Sequence, residues 1–85
     1  MTQHFKVLYF ASAKDASKTD GDKFEWSDNI NAEALTKLLL ERHPDLAPIL
    51  KISMFAVNME YMDQDNSWTV QPGDEVAIIP PVSGG

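Results

Sequence analysis

The residues best suited to chemistry are the last eight, Ile78-Ile79-Pro80-Pro81-Val82-Ser83-Gly84-Gly85. Proline has a fixed φ and no N–H donor, so the Pro80-Pro81 step cannot continue a sheet ladder and is expected to send the chain outward in an extended form. Glycine has no Cβ, so an arm ending in Gly84-Gly85 can thread a passage too narrow for a side chain and bring its terminal carboxylate to a partner's catalytic centre. A free carboxylate is a poor acyl donor at neutral pH. Joined to AMP by a partner, it becomes an activated acyl group open to attack by sulfur or an amine, with the carboxyl carbon of Gly85 as the reacting atom. The plainer alternatives are that the prolines only end the last strand and that Ser83 is a solvated tail residue.

No other group in the chain offers self-contained catalysis. There is no cysteine, hence no thiol nucleophile, thiolate metal site or disulfide. His4 flanks the first strand and His43 precedes a proline, without the serine and acid partners of a triad, so both read as ordinary surface residues. Asp63-Gln64-Asp65-Asn66-Ser67-Trp68 begins like a calcium loop, but Trp68 stands where that loop needs glycine and Asp74 where it needs a bidentate glutamate. It reads as an acidic turn.

Eighty-five residues suffice for one core and leave no room for a second domain or a deep cleft, so the expectation is a single domain over 1–85 with a projecting tail over 80–85. Hydrophobic residues make up 44% of the chain and are spread along it, as a folded domain requires. The formal net charge of −6 repels nucleic-acid phosphates and anionic membranes, and steers the chain toward basic protein surfaces unless it serves solubility alone. No apolar run has the length of a membrane span or of a secretion signal, which with the lack of cysteine implies a cytoplasmic protein.

The elements that must position the tail are legible from periodicity. Phe5, Val7 and Tyr9 alternate with Lys6, Leu8 and Phe10, nearly apolar on both faces, which predicts a central first strand. The polar stretch from Ser12 to Lys23, with Asp20-Gly21 as its turn signal, leads to a second strand carrying Phe24 and Trp26, nearer an edge. Asn31 is the predicted helix cap, with Ile30 stapling onto Leu35 and Glu33 at the positive end; Leu35, Leu38 and Leu39 form the core stripe, and Pro44 stops the helix. Two short strands follow around a turn at Asn58-Met59, and after the Pro72-Gly73 turn comes a final central strand, Val76 to Ile79. The order β-β-α-β-β-β buries the two end strands best when they lie side by side beneath the helix, an α+β arrangement. Exposed Phe or Met on the free sheet face is the docking candidate; alternation cannot say which residues face outward when both faces are apolar.

With these residues in view, the chain resembles the small-subunit family of molybdopterin synthase, sulfur carriers of the ubiquitin-like β-grasp type. The resemblance spans essentially the whole chain. It rests on Gly73 to Gly85 (GDEVAIIPPVSGG), the opening KVLYFASAKD, the leucine-rich helix ending in RHPDL, and AVNMEY. Met59 departs from the glycine common in the family, which puts the turn type in question. The resemblance implies a mixed sheet of about five strands on one main helix. It further implies that an E1-like activating enzyme uses ATP to adenylate Gly85, that a sulfur donor converts it to a thiocarboxylate, and that the large synthase subunit receives the tail. There the sulfur passes to cyclic pyranopterin monophosphate. On that reading Gly85 carries the sulfur, Gly84 provides clearance, and Pro80, Pro81, Val82 and Ser83 aim the arm and contact the partner channel. The chain binds no cofactor or metal itself, is not an enzyme alone, and assembles as two small and two large subunits. Alternatives are a carrier for thiamin or another sulfur pathway, which the PPVSGG ending disfavours, a ubiquitin-like modifier joined to lysine, and a plain interaction domain.

Overall fold

Two apolar strands from opposite ends of the chain lie together at the middle of one sheet. The computed structural model describes residues 2–63, 65 and 67–81. In it β1 (His4–Tyr9) runs parallel to β5 (Glu75–Ile79), with Val7 opposite Val76 and Tyr9 opposite Ile78. β2 (Gly21–Glu25) pairs antiparallel with β1, β3 (Met54–Val57) antiparallel with β5, and β4 (Glu60–Met62) antiparallel with β3. The sheet order is β2-β1-β5-β3-β4. This is the expected α+β, ubiquitin-like β-grasp arrangement, with β1 and β5 central and β2 at an edge.

The main helix, α2 (Ala32–Arg42), begins and ends where its flanking residues dictate. Asn31 has extended backbone and its side-chain oxygen accepts from the Ala34 N–H at 2.9 Å, satisfying one of the unpaired donors of the first turn. At the other end His43 N–H donates to Leu39 O at 2.8 Å, and Pro44 opens a 3₁₀ turn, Pro44–Leu46, in place of a further α turn. Ala32, Leu35 and Leu39 are buried against the sheet's inner face, where Phe5, Val7, Tyr9, Phe55, Val76 and Ile78 meet them. Each fully buried large apolar side chain stabilises the fold by roughly 1.5–3 kcal/mol relative to exposure. Leu38 is only half-buried at the rim of this core, so of the expected Leu35-Leu38-Leu39 stripe Leu35 and Leu39 are buried, and Ala32 takes the third buried position.

Two helical pieces stand where the sequence reads as connection. α1 (Ala11–Ser17) fills the start of the stretch between β1 and β2; it closes with Lys18 in the left-handed region at φ 62° and its N–H on Lys14 O at 2.8 Å. Its buried positions are Ala13 and Ser17, too small and too polar to register as an apolar stripe. A helix this short is marginal alone and persists through packing. α3 (Ala47–Leu50) continues from the 3₁₀ turn and buries Leu50, while Leu46 just before it is fully buried. Gly21 proves to be a strand residue rather than a turn residue: a Cβ there would lie 2.6 Å from the Val7 carbonyl oxygen, so β2 can approach β1 this closely only with glycine. Among the described residues no helix is long and apolar enough to cross a membrane.

Candidate functional site

The described part of the tail, Pro80-Pro81, directly follows β5. β5 carries ladders on both sides, to β1 and to β3, and the last pair joins Met54 to Ile79. Beyond the β1 ladder, Phe10 N–H donates to Ile78 O at 3.3 Å. Pro80 is buried and continues the anchored part of the chain, whereas Pro81 is exposed. Of the residues assigned to the arm, Val82, Ser83, Gly84 and Gly85 lie outside the described residues.

The sheet's outer face, opposite α2, resolves the question that alternation leaves open. With Phe5, Val7 and Tyr9 in the core, Lys6 and Leu8 point the other way. They share that face with Glu75, Ala77 and Ile79 of β5, Met54 and Ala56 of β3, and Tyr61 of β4, and Phe10 continues the row. The face is graded. Lys6 and Glu75 are partners at one end, Leu8, Ala77, Ala56 and Tyr61 form a continuous cross-strand row in the middle, and Phe10, Ile79 and Met54 gather at the end where the tail departs. Phe10, Met54 and Tyr61 are 46%, 52% and 62% exposed, unusual for large apolar side chains gathered in one place. Apolar surface and tail root therefore adjoin.

The hairpin joining β3 to β4 borders this face. Asn58 and Met59 have φ of 50° and 71°, both positive as a two-residue type I′ turn requires. Methionine in place of glycine leaves that turn type intact. Asn58 holds it from outside: its backbone N–H donates to Glu75 O at 2.8 Å, its side-chain oxygen accepts from Glu75 N–H at 3.0 Å, and its amide donates to Asp74 at 2.9 Å. These bonds fasten the turn to the start of β5, and Met59 is left almost fully exposed.

His43 is not the free surface residue its sequence context implies. Its Nε2 lies 2.6 Å from Asp22 Oδ2, the same oxygen that accepts the Tyr9 hydroxyl at 2.9 Å, and its ring meets Tyr9 edge-on with centroids 5.5 Å apart. Arg42 approaches the other Asp22 oxygen at 3.8 Å, lies over the Phe24 ring at 4.1 Å and donates to Lys23 O at 3.0 Å. This network ties the end of α2 to β1 and to edge strand β2. It is structural, on the helix side of the sheet. Burial first, and then the bond to Asp22, push the Tyr9 phenol pKa well above its usual 10.0. The folded state thus favours the protonated phenol, a contribution complete below pH 10.0 and lost as pH rises beyond it. Tyr9→Phe is expected to cost about 1–3 kcal/mol at neutral pH and to flatten the alkaline fall in stability, measured as urea midpoints from neutral pH to above pH 10.

No group of three or more His, Cys, Asp or Glu among the described residues could hold a metal. In the acidic turn, Asp65 accepts from Ser67 N–H at 3.1 Å and from its hydroxyl at 2.5 Å, and Trp68 donates to Asp63 O at 2.5 Å, so local hydrogen bonds account for that segment. His4 is half-buried, and its carbonyl accepts from Gly73 N–H at 2.7 Å.

Comparison with known families places this geometry. The ThiS family profile matches residues 7–85. The chain belongs to the ThiS family. Within reach of this ThiS-family chain in sequence is the molybdopterin synthase sulfur carrier subunit of Chlamydomonas reinhardtii, 40% identical over 80 residues, which cover 94% of this chain and 96% of that one. The subunit of the same name from Homo sapiens is 40% identical over 81 residues, covering 94% and 92% of the two chains. That from Dictyostelium discoideum is 36% identical with both chains covered completely. Among solved structures, SAMP1 from Haloferax volcanii superposes with a TM-score of 0.82 at 20% identity, over 96% of this chain and 99% of that one. A chain from the complex of subunits 1 and 2 of molybdopterin-converting factor from Helicobacter pylori gives a TM-score of 0.67 at 24% identity, over 96% and 99%. At those identities the structural likenesses speak to the fold, the β-grasp expected for a ThiS-family member.

Proposed function

We propose that this chain is the sulfur carrier subunit of a molybdopterin synthase. The observation that carries the proposal is the root of the tail: Pro80 and Pro81 follow the doubly paired central strand beside the most apolar part of an open sheet face. A partner that docks on the face receives the arm in a defined position. Full-length relatedness to carriers of molybdopterin synthesis favours this pathway over the thiamin alternative.

In this reading an E1-like activating enzyme binds ATP, and a carboxylate oxygen of Gly85 attacks its α-phosphorus, releasing pyrophosphate. A sulfur donor displaces AMP and leaves a thiocarboxylate, which is largely anionic at neutral pH and has a soft, nucleophilic sulfur. Pro81, Val82, Ser83 and Gly84 then carry it into the large subunit, where sulfur passes to cyclic pyranopterin monophosphate and the carboxylate is regenerated. The chain acts as a rechargeable cosubstrate in an assembly of two small and two large subunits, in the cytoplasm. It contributes no metal or bound cofactor.

Intact-mass analysis tests this. Incubation with the activating enzyme, ATP and a sulfur source should yield a species heavier by one sulfur-for-oxygen replacement, discharged on adding large subunit and pterin precursor. A lysine conjugate, or an unchanged mass where a known carrier is charged, would overturn it.

A further inference from the structure

The outer face carries a pattern that matches itself. β1 and β5 run parallel at its centre, and in register Lys6 stands beside Glu75 and Leu8 beside Ala77; Phe10 and Ile79 continue the two rows toward the tail. Each β1 residue is the counterpart of its β5 neighbour: positive beside negative, large beside small, aromatic beside branched aliphatic. Lys6 and Glu75 are both exposed, and among the described residues neither side chain enters an ion pair, although they lie on adjacent strands. Lys23 stands directly opposite Lys6 on β2, a like-charge pair that weakens the sheet and that an approaching negative charge relieves.

A two-fold axis can lie in such a face across the strands or along them. Across the strands, it would set the Lys6 and Glu75 end of one copy over the Phe10 and Ile79 end of the other, pressing charge against apolar surface. Along the strands, midway between β1 and β5, it sets β1 of each copy over β5 of the other. Lys6 then meets Glu75 of the second copy, Leu8 covers Ala77, and Phe10 meets Ile79, each contact occurring twice. An isologous interface needs a patch complementary to itself, and this face meets that condition about one axis. The charges choose the axis more than they supply affinity. Five strands about 4.8 Å apart, with outward residues from Lys6 to Phe10, give a patch of roughly 20 by 17 Å. Two such patches bury less than the roughly 1,200–2,000 Å² of stable complexes, which puts the contact in the weak, reversible class.

We propose that the free chain forms a weak isologous homodimer through its outer sheet face, about a two-fold axis parallel to β1 and β5. The inference goes beyond the carrier reading and requires only the chain itself. For a carrier, this dimer is a resting form: the open face is covered, and a protein that docks there must first displace the second copy.

Sedimentation equilibrium of the full-length chain over a hundredfold range of concentration should show monomer and dimer in exchange. Lys6→Glu and Glu75→Lys each set like charges together at both reciprocal contacts and should each raise the dimer Kd at least tenfold. The double variant Lys6→Glu/Glu75→Lys re-forms both contacts with the signs exchanged and should bring the Kd back toward that of the wild type. Urea midpoints establish that each chain is folded; should a reversal fail to fold, Lys6→Gln and Glu75→Gln test the same contacts by removing one charge, with a smaller rise in Kd. A wild-type chain that stays monomeric throughout overturns the proposal. So does a dimer indifferent to the single changes, which puts the contact elsewhere, and so does one weakened by both reversals and not restored by the double variant, which requires a different axis. Thiocarboxylate formation is read separately by mass, so the dimer can fail while the carrier reading stands, and the reverse.

Discussion

A chain lacking Gly85 will fold as the full-length protein does and will transfer no sulfur. The two halves of that result have separate causes. Stability resides in the core between α2 and the sheet's inner face, and the last strand is already complete at Ile79, with Pro80 buried behind it. Removing one residue five positions beyond Pro80 leaves those contacts in place. Chemistry, by contrast, needs a terminal carboxyl at a set distance from the docked body, and truncation draws the new terminus back by about 3.5 Å. Misplacement of a reacting atom by even 1 Å can cost on the order of a hundredfold in rate. Urea unfolding should give matching midpoints for the two chains, and the thiocarboxylate mass shift should be absent from the shorter one. Gly84→Val should approach the same outcome by a different route, since a branched side chain enters a passage suited to none. Normal turnover by that variant would show that the channel admits a branched side chain.

Leu39→Ala will destabilise the domain by about 2–5 kcal/mol, and Leu38→Ala by clearly less. Leu39 is fully buried and Leu38 half-buried, although the two are adjacent in sequence and chemically identical. A domain of 85 residues has total stability on the order of 4–13 kcal/mol, so loss of Leu39 consumes a large part of it and loss of Leu38 does not. Sulfur transfer by Leu39→Ala should decline with the folded fraction alone and recover when the urea midpoint is restored by lower temperature or a stabilising solute. Equal midpoints for the two variants would contradict the packing described for α2.

Much of this architecture follows from short-range signals. Asn31 caps α2 because its side chain reaches an N–H three residues on, and Pro44 ends the helix because its own nitrogen lacks a hydrogen. β5 is recognisable from its β-branched run and from the prolines after it. The type I′ turn at Asn58-Met59 was less legible. Methionine in the left-handed region goes against its own preference, and the bonds that hold the turn come from Glu75 and Asp74, sixteen or so positions away. α1 was not legible at all, because its buried side is alanine and serine. The Asp22 network draws on Tyr9, Asp22 and His43, three residues whose proximity no spacing rule suggests.

The primary structure alone determined that the chain would have strands near both ends, a capped and proline-stopped helix between them, and a Pro80-Pro81 step that no ladder can include, followed by the side-chain-free pair Gly84-Gly85. Each of those depends on the conformational limits of residues within a few positions of one another. Only the folded molecule decided which side of the central strands is covered by α2 and which is left open, and hence that Leu8, Phe10, Ala56, Ala77 and Ile79 share a surface at the root of the tail. When both sides of a strand are apolar, periodicity is silent. The choice is made by the helix that packs against one of them, through contacts between residues far apart in the chain.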